Sequence, residues 1–170
     1  MADNMTIDKV KVSTSEEKVI VNFCLSNDGS ISRYVGTYTE PALPEFYEAF
    51  KALIPVACNA LDLDVDGDGK RIMVYGFVLK YSDDGQLSAS LQCKFAVPSM
   101  STTCQISTPM KKEPLLAEDN GSKFFTREEL KAVMDAIKCV KDYVQGKRAQ
   151  GSLFDANGEP NTDAVVPVVA

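Results

Sequence analysis

Four aspartates at alternate positions form the most prominent group of chemically capable residues in this sequence. They are Asp62, Asp64, Asp66 and Asp68, within the stretch DLDVDGDG at 62–69. Carboxylate oxygens spaced in this way can converge on a hard cation such as Ca²⁺, and glycine permits the sharp turn that such a loop requires. The spacing therefore indicates a weak candidate calcium site.

The rest of the motif departs from the calcium loop of an EF-hand. That loop ends with a bidentate acidic residue at its twelfth position, but counting from Asp62 leads to Met73 and counting from Asp64 leads to Tyr75. The following segment also has the composition of a strand, where an EF-hand requires a helix. The alternative is a solvated acidic turn in which Asp and Gly serve the turn geometry. We expect no metal or other cofactor, with calcium as the one exception left open.

Histidine is absent from the chain, and this excludes the commonest catalytic arrangements. Ser-His and Cys-His nucleophiles, histidine general bases and histidine-ligated zinc all require it.

The chain has five cysteines, which are Cys24, Cys58, Cys93, Cys104 and Cys139. They contain no C-x-x-C pair, and three of the five lie on faces that we expect to be buried, so reduced thiols are favoured. We expect no catalytic residues and no enzymatic activity.

A short peptide near the C-terminal end has the spacing of a docking motif. The run Gln150-Gly151-Ser152-Leu153-Phe154 resembles the peptides by which bacterial replication and repair proteins bind the sliding clamp, the ring that tethers polymerase to DNA. In those peptides glutamine comes first, a small or acidic residue third, and Leu-Phe last. The resemblance implies that Gln150 hydrogen-bonds at a polar sub-site while Leu153 and Phe154 enter an apolar cleft. Gly151 departs from the pattern, because leucine is common there, and its flexibility should weaken binding.

A structural role for the same apolar pair is the alternative. Short docking peptides act from tails beyond a folded unit, and the position of this run therefore favours binding to a partner. We expect the affinity to be in about the micromolar range. Leu153 and Phe154 can instead fold back on the sheet and close the core as a strap. The sequence leaves both interpretations open.

A wider resemblance covers about residues 7–154. The stretches FYEAFKALIPVAC, IMVYGFVLKYSDDG, ISTPMKKEP and GKRAQGSLF resemble a group of small uncharacterised proteins encoded by bacteriophages and prophages, and only the last stretch is specific. This group implies no enzyme activity for the chain. Together with the docking peptide it favours, as the first interpretation, a non-enzymatic phage-type accessory protein that docks on the host sliding clamp, either recruiting its domain to replication or competing with host clamp users. The alternative is a self-contained interaction domain, an inhibitor of a host protein or a calcium-modulated adaptor, with the tail as a strap.

The net charge and the distribution of apolar residues limit the classes of partner and the cellular compartment that we expect. The formal charge of −6 argues against direct nucleic-acid binding, which depends on clustered Lys and Arg. No N-terminal segment has the pattern of a secretory signal, and no apolar run is long enough to span a bilayer. We expect a protein of the bacterial host cytoplasm with no membrane contact.

The elements that position these residues follow from hydrophobic periodicity. We predict an α+β fold in the order β-β-β-α-β-β-loop-α-tail, with a mainly antiparallel sheet of about five strands and two helices packed on one face. Residues 1–146 form a single domain in this prediction, and 147–170 form a tail. The predicted strands are 7–13, 17–25, 31–38, 71–81 and 86–97, and the predicted helices are 44–60 and 127–145.

Local signals refine this plan. Pro55 should kink the first helix, whereas Thr126 and Glu129 have the spacing of a capping box at the start of the second. Gly146 is a natural stop for that helix. Residues 98–124 should form a long surface loop, with a short strand near 102–107. The loop carries Lys111 and Lys112, which we do not expect to bind nucleic acid.

Overall fold

The chain forms one sheet with helices on one of its faces. The computed structural model describes residues 4–13 and 15–146. The strands are β1 (Met5–Ser13), β2 (Lys18–Asn27), β3 (Ser30–Tyr38), β4 (Ile72–Tyr81), β5 (Leu87–Val97), β6 (Thr102–Ser107) and β7 (Lys111–Lys112). The helices are α1 (Pro44–Lys51), α2 (Ile54–Ala60) and α3 (Arg127–Val144), and residues 68–70 and 98–100 form single 3₁₀ turns.

The sheet confirms the predicted α+β class and its antiparallel character. Its strand order is β3-β2-β1-β4-β5-β6, with β7 also paired to β5. Every ladder between these strands is antiparallel. The sheet is wider than the predicted five strands, because β6 and β7 both arise from the segment expected to be mainly loop.

Side chains alternate across the sheet and place the core beneath the helices. Along β5, Leu87, Ala89, Leu91 and Cys93 are buried, while the residues between them remain partly exposed. The helices supply the opposite wall, and the buried side chains of α3 are Glu129, Val133, Ala136, Ile137, Val140 and Tyr143. All six recur at helical spacing and all except Glu129 are hydrophobic, so the stripe follows from the amphipathic pattern.

The prediction of one kinked helix over 44–60 is wrong, because the chain breaks into two helices. α1 ends at Lys51 and α2 begins at Ile54, with Pro55 in its first turn. Proline has no N–H to donate, and its ring clashes with the carbonyl four residues earlier. The Leu53 N–H donates a hydrogen bond to the carbonyl of Phe50, three residues earlier, at 3.1 Å.

The prediction that residues 111–112 lie in a loop is also wrong. β7 pairs with Ser88 and Ala89 of β5, and the Lys111 ammonium lies 3.1 and 3.2 Å from the two carboxylate oxygens of Glu129. Both side chains of this ion pair are less than 10% exposed. The short strand is therefore anchored by a tertiary contact with α3.

The start of α3 confirms the predicted capping box. The Glu129 N–H donates to the Thr126 hydroxyl at 3.2 Å, and the Thr126 N–H donates to the Glu129 carboxylate at 3.0 Å. At the other end Gly146 adopts a φ of 104°, a left-handed conformation that favours glycine. The predicted tail at 147–170 lies outside the described residues.

Candidate functional site

The predicted docking residues Gln150, Ser152, Leu153 and Phe154 lie outside the described residues. The structure does describe the helix end from which they continue. The Tyr143 hydroxyl donates to the backbone carbonyl of Glu40 at 2.6 Å. The Tyr143 ring packs against Tyr38, with centroids 5.4 Å apart, and against Phe46, with centroids 5.3 Å apart. The point at which the chain leaves α3 is thus held against the end of β3 and the start of α1.

The acidic loop folds around its own backbone. The Asp64 carboxylate accepts from the N–H groups of Asp66 at 3.3 Å and Gly67 at 3.2 Å, and the Asp68 carboxylate accepts from the Asp64 N–H at 3.0 Å. Asp62 occupies a left-handed conformation with φ 55°. These contacts are those of an acidic turn stabilised by side-chain-to-backbone hydrogen bonds.

The four aspartates do not form a cluster suited to a metal ion. Within residues 4–13 and 15–146, no group of three or more Cys, Asp or Glu side chains is arranged to hold one. The chain after the loop enters strand β4 at Ile72, so the helix that an EF-hand requires is absent at this position. Calcium binding by the loop remains a sequence prediction.

All five cysteines are free thiols, and two of them, Cys58 and Cys93, are fully buried. We expected three to be buried, but Cys24 and Cys139 are half-buried and Cys104 is exposed. Burial raises the pKa of Cys93 to about 11. A side-chain hydrogen bond to Asp8 is the main cause that raises the pKa of Cys24. These conditions favour protonated, unreactive thiols at Cys93 and Cys24.

An apolar pocket opens where strands β1 and β4 stop pairing. Their ladder runs from Lys9 to Lys11 on β1 and from Gly76 to Val78 on β4. The two backbones approach closely at Gly76, where an added Cβ would lie 2.3 Å from the Val10 carbonyl oxygen. Immediately before Gly76 the β4–β5 register shifts at Tyr75, and such a bulge redirects a strand. The two strands then leave a gap in the sheet.

This gap, hereafter the β1–β4 pocket, has a cavity volume of about 170 Å³. Val12 and residues 73–75 line it on the sheet side, and Phe46, Phe50 and Ile54 line it on the helix side. Tyr47 and Lys51 complete the lining, and Lys51 is its one charged residue. An apolar cavity of this size accommodates a group of about the size of a benzene ring.

A second, more polar depression adjoins the pocket and shares Val12 and Tyr47 with it. We call it the Glu40 groove. Glu17 and Glu40 lie in its lining together with Lys18, and the Lys18 ammonium is paired with Glu16. The groove contains the residue whose carbonyl accepts the Tyr143 hydroxyl. It therefore connects the end of α3 with the β1–β4 pocket.

Comparisons with models of known protein families, with curated proteins and with solved structures found no significant match. Within the described residues no helix is long and apolar enough to cross a bilayer.

Sequence reasoning missed the β1–β4 pocket. Its wall residues, such as Val12, Phe50 and Val74, read as ordinary core positions because they fit strand and helix periodicity. Gly76, inside a strongly apolar strand, was the available signal, since an isolated glycine in a strand indicates a bulge or a close approach of another backbone.

Proposed function

We propose that this chain is a phage-type accessory protein without enzymatic activity that docks on the bacterial sliding clamp in the host cytoplasm. The peptide Gln150–Phe154 is the docking element. The observation that carries the proposal is the combination of a leading glutamine with a closing Leu-Phe pair, directly after the last described helix.

The expected free energy of binding corresponds to a modest, reversible interaction. Burial of Leu153 and Phe154 in a cleft contributes about 1.5 to 3 kcal/mol each, and ordering of the peptide removes part of this gain. A dissociation constant in the micromolar range corresponds to about −8 kcal/mol. Several copies of the protein can bind one clamp, because the clamp is an oligomeric ring.

The length of the connection favours competition over recruitment. Residues 147–149 alone separate Gly146 from Gln150, and at full extension this connection spans about 13 Å. A bound peptide therefore holds the folded domain against the clamp surface beside the cleft. In that position the domain obstructs other proteins that approach the same cleft, so we assign it the role of a competitor of host clamp users.

The direct test is a titration of the full-length chain against a bacterial clamp. We expect micromolar binding that weakens about 100-fold or more in the variant Leu153→Ala/Phe154→Ala, because removal of both side chains costs at least about 3 kcal/mol. The matched control is Val165→Ala/Val166→Ala, which truncates two apolar residues of the same C-terminal segment and should bind like the wild type. Equal binding by the wild type and the Leu-Phe variant contradicts the proposal.

The second candidate function is a self-contained interaction domain, and the edge strand β3 favours it. Ile31 and Val35 on this strand are each 69% exposed, and the nine-residue ladder between β2 and β3 is regular. Edge strands without protection can pair with a partner strand. In this case the substitution Val35→Lys abolishes partner binding, whereas Leu153→Ala/Phe154→Ala leaves it unchanged.

A further inference from the structure

We infer that the β1–β4 pocket is a binding site for Phe154 of the same chain, so that the docking peptide is held on its own domain until a partner takes it. The claim that this contact regulates clamp binding rests on the function proposed above. The intramolecular contact itself is argued from four features of the pocket, of the end of α3 and of the sequence that follows it.

The first feature is the match between the pocket and the proposed occupant. The pocket has a volume of about 170 Å³ and walls of aliphatic and aromatic side chains, which suit a phenyl ring. Phe154 is the first aromatic residue that follows Tyr143 in the chain.

The second feature is the position of the helix end. The ring of Tyr143 packs on the ring of Phe46, with centroids 5.3 Å apart, and Phe46 is part of the pocket wall. The last turn of α3 therefore lies one side chain away from the cavity. Gly146, three residues later, adopts the left-handed conformation that lets the chain turn away from the helix axis.

The third feature is the length of the connection. Seven residues separate Gly146 from Phe154, and the eight Cα–Cα steps between them span about 26 to 29 Å at full extension. Gly146 lies within about 11 Å of Tyr143, since only two residues separate them. The connection can reach the pocket without full extension, so a turn along the path is allowed.

The fourth feature is charge along the path. Lys147 and Arg148 follow Gly146 in the sequence, and the Glu40 groove contains Glu17 and Glu40 together with Lys18, which is paired with Glu16. Opposite charges at this position favour a course of the chain along the groove. The groove shares Val12 and Tyr47 with the pocket, so this course leads toward the proposed binding site.

The test uses the full-length chain with p-azidophenylalanine in place of Phe154. This photoreactive residue adds only a small group to the phenyl ring and lies outside the described core. After irradiation, proteolysis and mass spectrometry, we expect crosslinks within one chain to residues 73–75 and to residues 46–54. The control carries the same photoreactive residue at Asn161 and should show no preference for these positions.

Two results overturn the inference. One is a set of crosslinks spread over the surface without enrichment at the pocket. The other is pocket crosslinks found only between two chains, which would mean that the pocket binds the segment of another copy.

A thermal measurement gives an independent check. Phe154→Ala should lower the melting temperature by several degrees, because a side chain that fills a core pocket stabilises the fold, and Val165→Ala should leave the temperature unchanged. Equal melting temperatures for wild type and Phe154→Ala count against the inference.

An excess of bacterial clamp separates this inference from the proposed function. Loss of pocket crosslinks when the clamp is added supports both. Pocket crosslinks that no clamp displaces, together with no clamp binding in titration, support the intramolecular site and remove the proposed function. Clamp binding through Leu153 and Phe154 without any pocket crosslinks removes the intramolecular site and leaves the proposed function intact.

Discussion

Substitution of Glu129 by alanine should destabilise this protein more than any change at an exposed ion pair. The Glu129 carboxylate makes contacts of 3.1 and 3.2 Å with the Lys111 ammonium and accepts the Thr126 N–H at 3.0 Å. Both side chains of the pair are less than 10% exposed. In Glu129→Ala the Lys111 ammonium stays buried without an anionic partner, near the Phe125 ring at 5.6 Å. A buried charge left without its partner typically costs about 3 to 5 kcal/mol.

The reciprocal change, Lys111→Met, should cost less. Without the ammonium, the Glu129 carboxylate still accepts the Thr126 N–H and still lies in the first turn of α3. Both interactions favour a negative charge there, because the helix N-terminus carries partial positive charge. We expect a loss of about 1 to 3 kcal/mol. In the double variant the unpartnered lysine is absent, so its cost should be smaller than the sum of the single costs.

Chemical denaturation followed by circular dichroism measures these differences in the free energy of unfolding. For a chain of this length each kcal/mol lowers the melting temperature by about 2 to 4 °C, so Glu129→Ala should lower it by roughly 6 to 20 °C. The control is the exposed pair Lys131–Asp135 on the same helix, at 2.6 Å, where Asp135→Ala should cost less than about 0.5 kcal/mol. The reasoning fails if Glu129→Ala costs under about 1 kcal/mol or if Lys111→Met costs more than Glu129→Ala.

Three further predictions concern other positions. Gly76→Ala should cost about 2 kcal/mol or more in chemical denaturation, because the new Cβ would lie 2.3 Å from the Val10 carbonyl oxygen, whereas Gly69→Ala meets only ordinary contacts and should change stability little. Stability should fall as pH rises from about 9 toward 11, because burial raises the pKa of Cys93 to about 11 and the unfolded thiol ionises first; melting curves of Cys93→Ala should decline less steeply over that range. Gly151→Leu should tighten clamp binding about two- to fivefold in a titration, because it restricts the unbound peptide, and unchanged or weaker binding would contradict the assignment of this position.

Local rules predicted those parts of the fold that local interactions decide. Thr126 and Glu129 lie three residues apart and form both hydrogen bonds of the capping box, so the sequence contains all the information needed. The alternation along β5 likewise predicted its buried face. Pro55 predicts a disruption of the helix, but a kink and a complete break differ only in whether the neighbouring turns keep their hydrogen bonds.

Tertiary contacts decided the parts that were missed. β7 has two residues, too few for any period, and its position depends on the pair between Lys111 and Glu129, which are 18 residues apart. The β1–β4 pocket depends on a bulge at Tyr75 and on the separation of two strands far apart in sequence. Neither feature leaves a repeating pattern in the sequence, because strand register and helix packing together form the pocket.

The two proposals for Phe154 are linked by a quantitative relation. If the side chain is available for only a fraction of the time, the apparent dissociation constant for the clamp is the intrinsic value divided by that fraction. With a tenth of the molecules open, the full chain should bind about tenfold more weakly than an isolated peptide of residues 146–156. Obstruction by the folded domain acts in the same direction. The closed fraction derived from crosslinking therefore sets a minimum difference between peptide and full chain, and a measured difference below that minimum is incompatible with intramolecular docking of Phe154.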